Sequence, residues 1–336
     1  MRKSSLQVFL LLVLILILAA LADLATGSLR IPIQELLAYL SGRSRLTDQQ
    51  LMVLEQFRLP RLAAALLAGA ALPLCGLMMQ TLFRNPLAGP YILGISSGAS
   101  LGAALVVMGA GVGSMVSSLG LALAAWIGAA LVMLSLLLIS LRIRDVMTIL
   151  VLGIMLSGAI GAVISIMQYF SGAEALKSFV IWSMGSLGSV NGKGLKLMAL
   201  VVVPLVFLGA GSIKALNALL LGEEYARSMG IAILPNRIFV FLVSSLLAGT
   251  ITAFCGPIGF IGIAVPHVSR VLFNTADHRV LYPATILCGM IILTGSDLLS
   301  RLPGSEGILP INAVTSLVGI PVVVWLVFSR RQIKQL

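Results

Sequence analysis

The chain has 336 residues, 59% of them hydrophobic and 10% charged, with a mean hydropathy of +1.11. Soluble domains carry about 45–50% apolar and about 25% charged residues, so a water-soluble globular enzyme, a disordered chain and a collagen-like chain are all excluded. The net charge of +11 comes from Lys and Arg in short connections between apolar runs, which points to membrane orientation and anionic headgroups and not to nucleic acid.

In chain order, Met1, Arg2 and Lys3 precede an apolar run from Val8 to Ala22. Ala20-Leu21-Ala22 has the small-residue pattern of a leader cleavage site. The run continues through Leu24 and Ala25, long enough to span, and a retained first helix is expected. Further apolar stretches lie near 62–82, 92–110, 116–140, 147–170, 195–211, 237–255, 258–272, 281–300 and 308–328. At about 20 residues per crossing, these predict an all-α polytopic membrane protein of about ten spans. The expected organisation is one transmembrane domain over 1–336, with an outer loop at 26–60 and a cytoplasmic segment at 212–236. The pieces near 92–110 and 258–272 are interrupted by Gly and Pro. Such backbone is tolerated at membrane depth only where protein or a water-filled cavity covers it.

An even number of spans puts both termini on one side. With that side as the cytoplasm, thirteen of the 22 Lys and Arg fall there, the sign expected of the positive-inside bias. The outer exceptions concentrate in Arg30, Arg43, Arg45, Arg58 and Arg61, for which an acidic partner is one explanation. Gly98/Gly102 and Gly109/Gly113 are small-xxx-small patterns, read as packing within the chain ahead of a subunit interface.

Several chemistries are missing. Gly192-Lys193 lacks the P-loop glycine five residues upstream, where Leu187 stands, and is followed by Gly194 instead of Ser or Thr, so no nucleotide site is expected. Asp297 is the acid well inside an apolar run. Pairing with a neighbour is the favoured reading, and an ion-coupled secondary transporter using Asp297 is the alternative. His267 and His278 lack metal-ligand spacing, and Cys75, Cys255 and Cys288 read as small buried hydrophobes. Neither a metal nor a cofactor is expected.

Two patterns suggest a passage and its drive. Gly153, Ser157, Gly161 and Ser165 recur at i+4 and Gln168 continues their face, giving a smooth, mildly polar stripe suited to a conduit or to close helix packing. Between two spans, Gly222, Ala226 and Gly230 also recur every four residues, predicting a low-bulk face on a short helix with Glu223 and Arg227 as an i,i+4 pair.

Four longer motifs carry a resemblance. They are Arg58-Leu-Pro-Arg61 with the following apolar run to Arg84-Asn-Pro-Leu-Ala88; Leu216 to Gly230; Gly256-Pro-Ile-Gly-Phe-Ile-Gly262 with Val265-Pro-His267-Val-Ser-Arg270 and Asp277-His-Arg279; and Asp297-Leu-Leu-Ser-Arg301 with Gly307-Ile-Leu-Pro310 to Thr315 and Gly319-Ile-Pro321. In this order they closely resemble FecCD-type permeases, the membrane subunits of ABC importers for iron–siderophores, haem and cobalamin. The resemblance implies a ten-helix subunit of type II importer architecture in a bacterial inner membrane, paired with a second permease copy (a homodimer), two cytoplasmic ATPase subunits and an external substrate-binding protein. It further implies that hydrolysis is delegated, so this chain is not an enzyme. Arg58, Arg61 and Arg301 would be outward-facing docking arginines, headgroup anchoring being the alternative. Gly222, Glu223, Ala226, Arg227 and Gly230 would couple to the ATPase. Asn85 with Leu87, and Val146 with Met147, would form the inner gate; relatives carry small hydroxyl residues at the second turn, where this chain is larger and apolar.

Overall fold

The computed structural model describes residues 3–27, 29, 31–43, 46–89, 91, 93–109, 117–143, 145–301 and 307–333. Arg30, Arg45 and the Gly113 end of the second small-residue pattern lie outside the described residues. The described elements are helical throughout: α1 (Lys3–Ala25), α2 (Ile33–Leu40), α3 (Asp48–Val53), α4 (Leu59–Leu82), α5 (Ile95–Ala104), α6 (Ser118–Arg142), α7 (Val146–Phe170), α8 (Ala173–Ser183), α9 (Gly192–Gly209), α10 (Ile213–Leu219), α11 (Glu223–Ser228), α12 (Ile233–Cys255), α13 (Ile261–Phe273), α14 (His278–Ser300) and α15 (Ile311–Ile333). Among the described residues, seven runs are long and apolar enough to cross a membrane, and shorter apolar helices at Ile95–Gly109, Ile261–Phe273 and Ile311–Trp325 bring the total to the expected ten.

The stretch expected as an outer loop holds more helix than its composition suggested. Thr47 accepts from the Gln50 N–H while the Gln50 side chain accepts from the Thr47 N–H, a reciprocal cap that starts α3. Helix then continues through a π turn at Leu54–Arg58 into α4, making one 35-residue run.

α4 is the hub, packed against α14, α12, α13 and α9. Lipid is as apolar as Leu, so helices here associate through close packing at small residues. A Cβ on Gly76 would collide with the Gly262 carbonyl, and one on Gly69 would lie 2.7 Å from the Gly289 carbonyl oxygen. The Gly98/Gly102 pattern packs α5 on α6 in the same way, against Gly128 and Ala124, which settles that pattern as packing within the chain.

The interrupted piece after α12 is solved internally. Gly256 and Phe260 adopt positive φ, and the backbone between them finds partners on neighbouring elements. The Ile258 N–H donates to Tyr91 Oη at 2.9 Å and the Gly259 N–H to Asn312 Oδ1 at 2.8 Å. The Ser186 N–H donates to the Cys255 carbonyl at 2.7 Å. Non-helical backbone is thereby kept off lipid, as its polar groups require. Cys75, Cys255 and Cys288 are buried and unbonded to one another.

Candidate functional site

The end of α1, the start of α4 and the end of α14 meet at one end of the bundle, beside residues 26–60, in a polar cluster. Asp297, on the last turn of α14, is fully buried and receives the Arg61 Nε at 2.9 Å and an Arg61 terminal nitrogen at 2.8 Å. Its other oxygen lies 3.0 Å from an Arg301 terminal nitrogen. Arg301 also pairs with Asp23 at the end of α1 and donates to the Thr26 carbonyl at 3.3 Å. Arg61 reaches Ser300 Oγ at 3.1 Å. Arg58 is 5% exposed and donates to the Leu24 and Leu29 carbonyls. A Cβ on Gly27 would lie 2.8 Å from its guanidinium.

Arg58, Arg61 and Arg301, expected as docking arginines, stand together at this end of the bundle, turned onto acceptors of their own chain. All three line a cavity of about 1480 Å³ bounded by α1's end, α2, the π turn, the α8–α9 connection and residues 307–311. Three cations against Asp23 and Asp297 leave this cluster one positive charge in excess. Desolvated charges persist only with such mutual compensation.

At the opposite end, α10 and α11 form the segment between α9 and α12. The expected low-bulk face is not a helical face. Gly222 precedes α11 with φ +112°, and Gly230 follows it with φ +78°. The Gly230 N–H donates to the Arg227 carbonyl and the Ile231 N–H to the Ala226 carbonyl, both at 3.0 Å. This is a Schellman closure, which requires a left-handed residue at that point. Ala226 is fully buried. Glu223 pairs with Arg237 of α12 at 2.8 Å in place of the expected Arg227.

The two expected gate turns lie at this same end. After α4, Arg84 takes φ +48° in a second Schellman closure, with the Asn85 N–H on the Gln80 carbonyl at 3.1 Å. Asn85 Oδ1 then accepts from the Leu87 N–H at 2.9 Å, the side chain standing in for a backbone turn. Val146 and Met147 open α7, where Asp145 accepts from the Met147 and Thr148 N–H groups at 3.3 and 2.8 Å. Leu87 and Met147 are both exposed.

The stripe on α7 divides. Gly153 and Ser157 pack against the start of α5, where a Cβ on Gly94 would lie 2.8 Å from Ser157 Oγ. A Cβ on Gly161 would meet nothing within 4 Å, and Ser165 is exposed. The hydroxyls of Ser157 and Ser165 bond the carbonyls one turn back, at 2.9 and 3.0 Å. Sequence reading missed the polar contacts of Asp23, Gln80, Thr81 and Asn217. Their signal was available, since each is a polar residue at the edge of an apolar run.

The model of the FecCD transport family matches residues 12–329. The vitamin B12 import system permease protein BtuC of Klebsiella pneumoniae is 38% identical over 321 residues, covering 95% of this chain and 93% of the relative. The hemin transport system permease protein HmuU of Yersinia pestis is 33% identical over 338 residues, covering 96% and 95%. Among solved structures, a transporter described as being of metal-chelate ABC type, in an inward-facing conformation, aligns with a TM-score of 0.86. It shares 30% identity and is covered over 99% of its length by 96% of this chain. PsaBC from Streptococcus pneumoniae, at TM-score 0.53 and 14% identity, shares the fold.

Proposed function

The chain belongs to the FecCD transport family, and on that premise we propose that its cargo is an iron–siderophore, haem or cobalamin-type chelate, moved into the cytoplasm by alternating access. The chain is a multi-pass membrane permease of an ABC importer and is not itself an ATPase. The observation that carries the cargo class is that permeases named for vitamin B12 and for hemin match it over almost their whole length. Permeases of the BtuC type work with ATPase and binding-protein partners in ABC importer complexes. Here the assembly is read as two identical permease copies, two cytoplasmic ATPase subunits and one external binding protein, in a bacterial inner membrane.

Each region then takes a part. The outer arginines, Arg58, Arg61 and Arg301, receive acidic side chains of the loaded binding protein; the excess positive charge around the cavity supports this, since guanidinium groups make directional, charge-assisted contacts with carboxylates. Gly161, Ser165 and Gln168 face the second copy and line the conduit, with Gly153 and Ser157 anchoring that helix on α5. Gly222, Glu223, Ala226, Arg227 and Gly230 form the part that engages the ATPase. Asn85, Leu87, Val146 and Met147 close the inner end, and the apolar bulk of Leu87, Val146 and Met147 suits closure by dewetting.

The docking part predicts a salt-dependent affinity between the membrane complex and its binding protein. Reversing the charge of acidic residues on the binding protein should weaken association and flatten its dependence on ionic strength, read by surface plasmon resonance. Affinity that is indifferent to salt and to those reversals would contradict arginine docking. The chelate that co-purifies with the binding protein identifies the cargo.

A further inference from the structure

Two hydrogen-bonded groups meet on consecutive buried residues of the last turn of α4. The first begins at Asn217 of α10. Asn217 Oδ1 accepts from the His278 N–H at 2.8 Å, which fixes the orientation of the amide, and its Nδ2 donates to Asp277 Oδ1 at 2.7 Å. The His278 Nδ1 therefore donates to Asn217 Oδ1 at 2.9 Å, and its Nε2 is left to accept from the Thr81 hydroxyl at 2.8 Å, taking the single hydroxyl proton in competition with the Leu77 carbonyl at 3.0 Å. Asp277 caps α14 through the Arg279 N–H at 2.9 Å. The coupling segment, the start of α14 and the end of α4 are thus tied in one run.

The second group begins next door, at Gln80. Its Nε2 donates to the Ile263 carbonyl at 3.1 Å and its Oε1 accepts from Arg270 at 2.7 Å. Arg270 lies 3.4 Å from His267 Nδ1. The other ring nitrogen of His267 faces the Pro86 carbonyl at 2.9 Å. A carbonyl only accepts, so Nε2 carries the proton and Nδ1 accepts from Arg270. Pro86 sits between Asn85 and Leu87. Gln80, Thr81, His267 and His278 are each under 5% exposed, so the fully buried Thr81–His278 bond, once broken, has no water to replace it.

We propose that these two groups form one relay, in which displacement of the coupling segment is passed through Asn217, His278 and Thr81 to the end of α4, and from Gln80 through Arg270 and His267 to the turn that holds Asn85 and Leu87. The proposal rests on the reading of α10 and α11 as the ATPase-engaging part and of that turn as gate. Physically, α4 is a stiff helix whose last turn is gripped on two sides by different elements. Movement of α10 and of the α14 start cannot leave Thr81 behind without stranding buried donors and acceptors. The same turn then carries Gln80 and, through α13, the Pro86 carbonyl. Coupling of this sort is carried by contiguous networks and rigid elements, and mutations along them modulate it without touching either ligand.

The test uses the complete importer in lipid nanodiscs, with one introduced cysteine as reporter, either Ser228→Cys on the coupling segment or Leu87→Cys at the gate turn; the native cysteines are buried. Thiol-labelling rates are compared between the nucleotide-free and vanadate-trapped states, and ATP hydrolysed per cargo imported is measured in vesicles. In the parent, both reporters answer nucleotide. Thr81→Val, which keeps shape and removes the hydroxyl, is expected to abolish the response at Leu87→Cys, preserve it at Ser228→Cys and raise ATP used per cargo. Thr81→Ser is expected to restore all three. Arg270→Gln breaks the second group and should give the same split, which covers the case of a Thr81 variant that fails to assemble. A gate reporter that still answers nucleotide in Thr81→Val or in Arg270→Gln overturns the relay, as does a Thr81→Ser that fails to restore it. A parent in which neither reporter answers overturns the functional reading and the relay with it.

Discussion

The carboxylate of Asp297 grips arginines from two helices while exposing none of its surface. An unpaired charge there would be intolerable, and a buried pair broken on one side costs about 3–5 kcal/mol. Asp297→Ala is therefore expected to destabilise the folded subunit by that amount, seen as a lowered thermal midpoint in detergent, with Asp297→Glu milder. A proton-relay role predicts instead lost transport at unchanged stability. That Asp297 would be paired was legible, because an isolated acid in an apolar run demands a partner. Which partner was not: Arg61 is 236 positions away, and only the fold brings α4 beside α14. A separation of 278 positions hid Asp23 from Arg301. Arg58 shows the opposite limit, since its motif marked it for the outer end but nothing in the motif says that its head is spent on two carbonyls.

Whole elements were easier to read than their junctions. The ten runs follow from hydropathy, and the glycine spacing of α5 announced close packing within the chain, though not that α6 is the partner. The short helices at either end were harder, since α3 and α11 depend on a reciprocal cap and on left-handed glycines, not on periodicity. The start of α7 offers a test at this scale. The Asp145 carboxyl is held below the ordinary carboxylate value by the Thr148 hydroxyl, then by the Thr148 and Met147 N–H groups. A depressed carboxylate stabilises the helix start fully above the unfolded value of about 3.9, and that support is lost as pH falls through the lower folded value. Hydrogen exchange at the first turn of α7 should therefore quicken relative to mid-helix amides only below that value, and Asp145→Ala should give the quickened exchange at neutral pH. Protection that is unchanged in Asp145→Ala would remove the cap from the account.

Across the molecule, the chain is an apolar membrane permease with polar clusters at both ends and its power supplied from outside. The arginine cluster at one end clamps α1, α4 and α14 around a charged cavity, and the hydrogen bonds at the other end fasten the same α4 and α14 to α10. The most direct measurement is chelate uptake into vesicles holding the purified subunit, alone and with its ATPase and binding protein. Alone, with a proton gradient imposed, it should neither hydrolyse ATP nor concentrate cargo; with both partners, uptake should require ATP and persist when a protonophore collapses the gradient. Gradient-driven accumulation by the isolated subunit would contradict the account and return Asp297 to the role of a coupling acid.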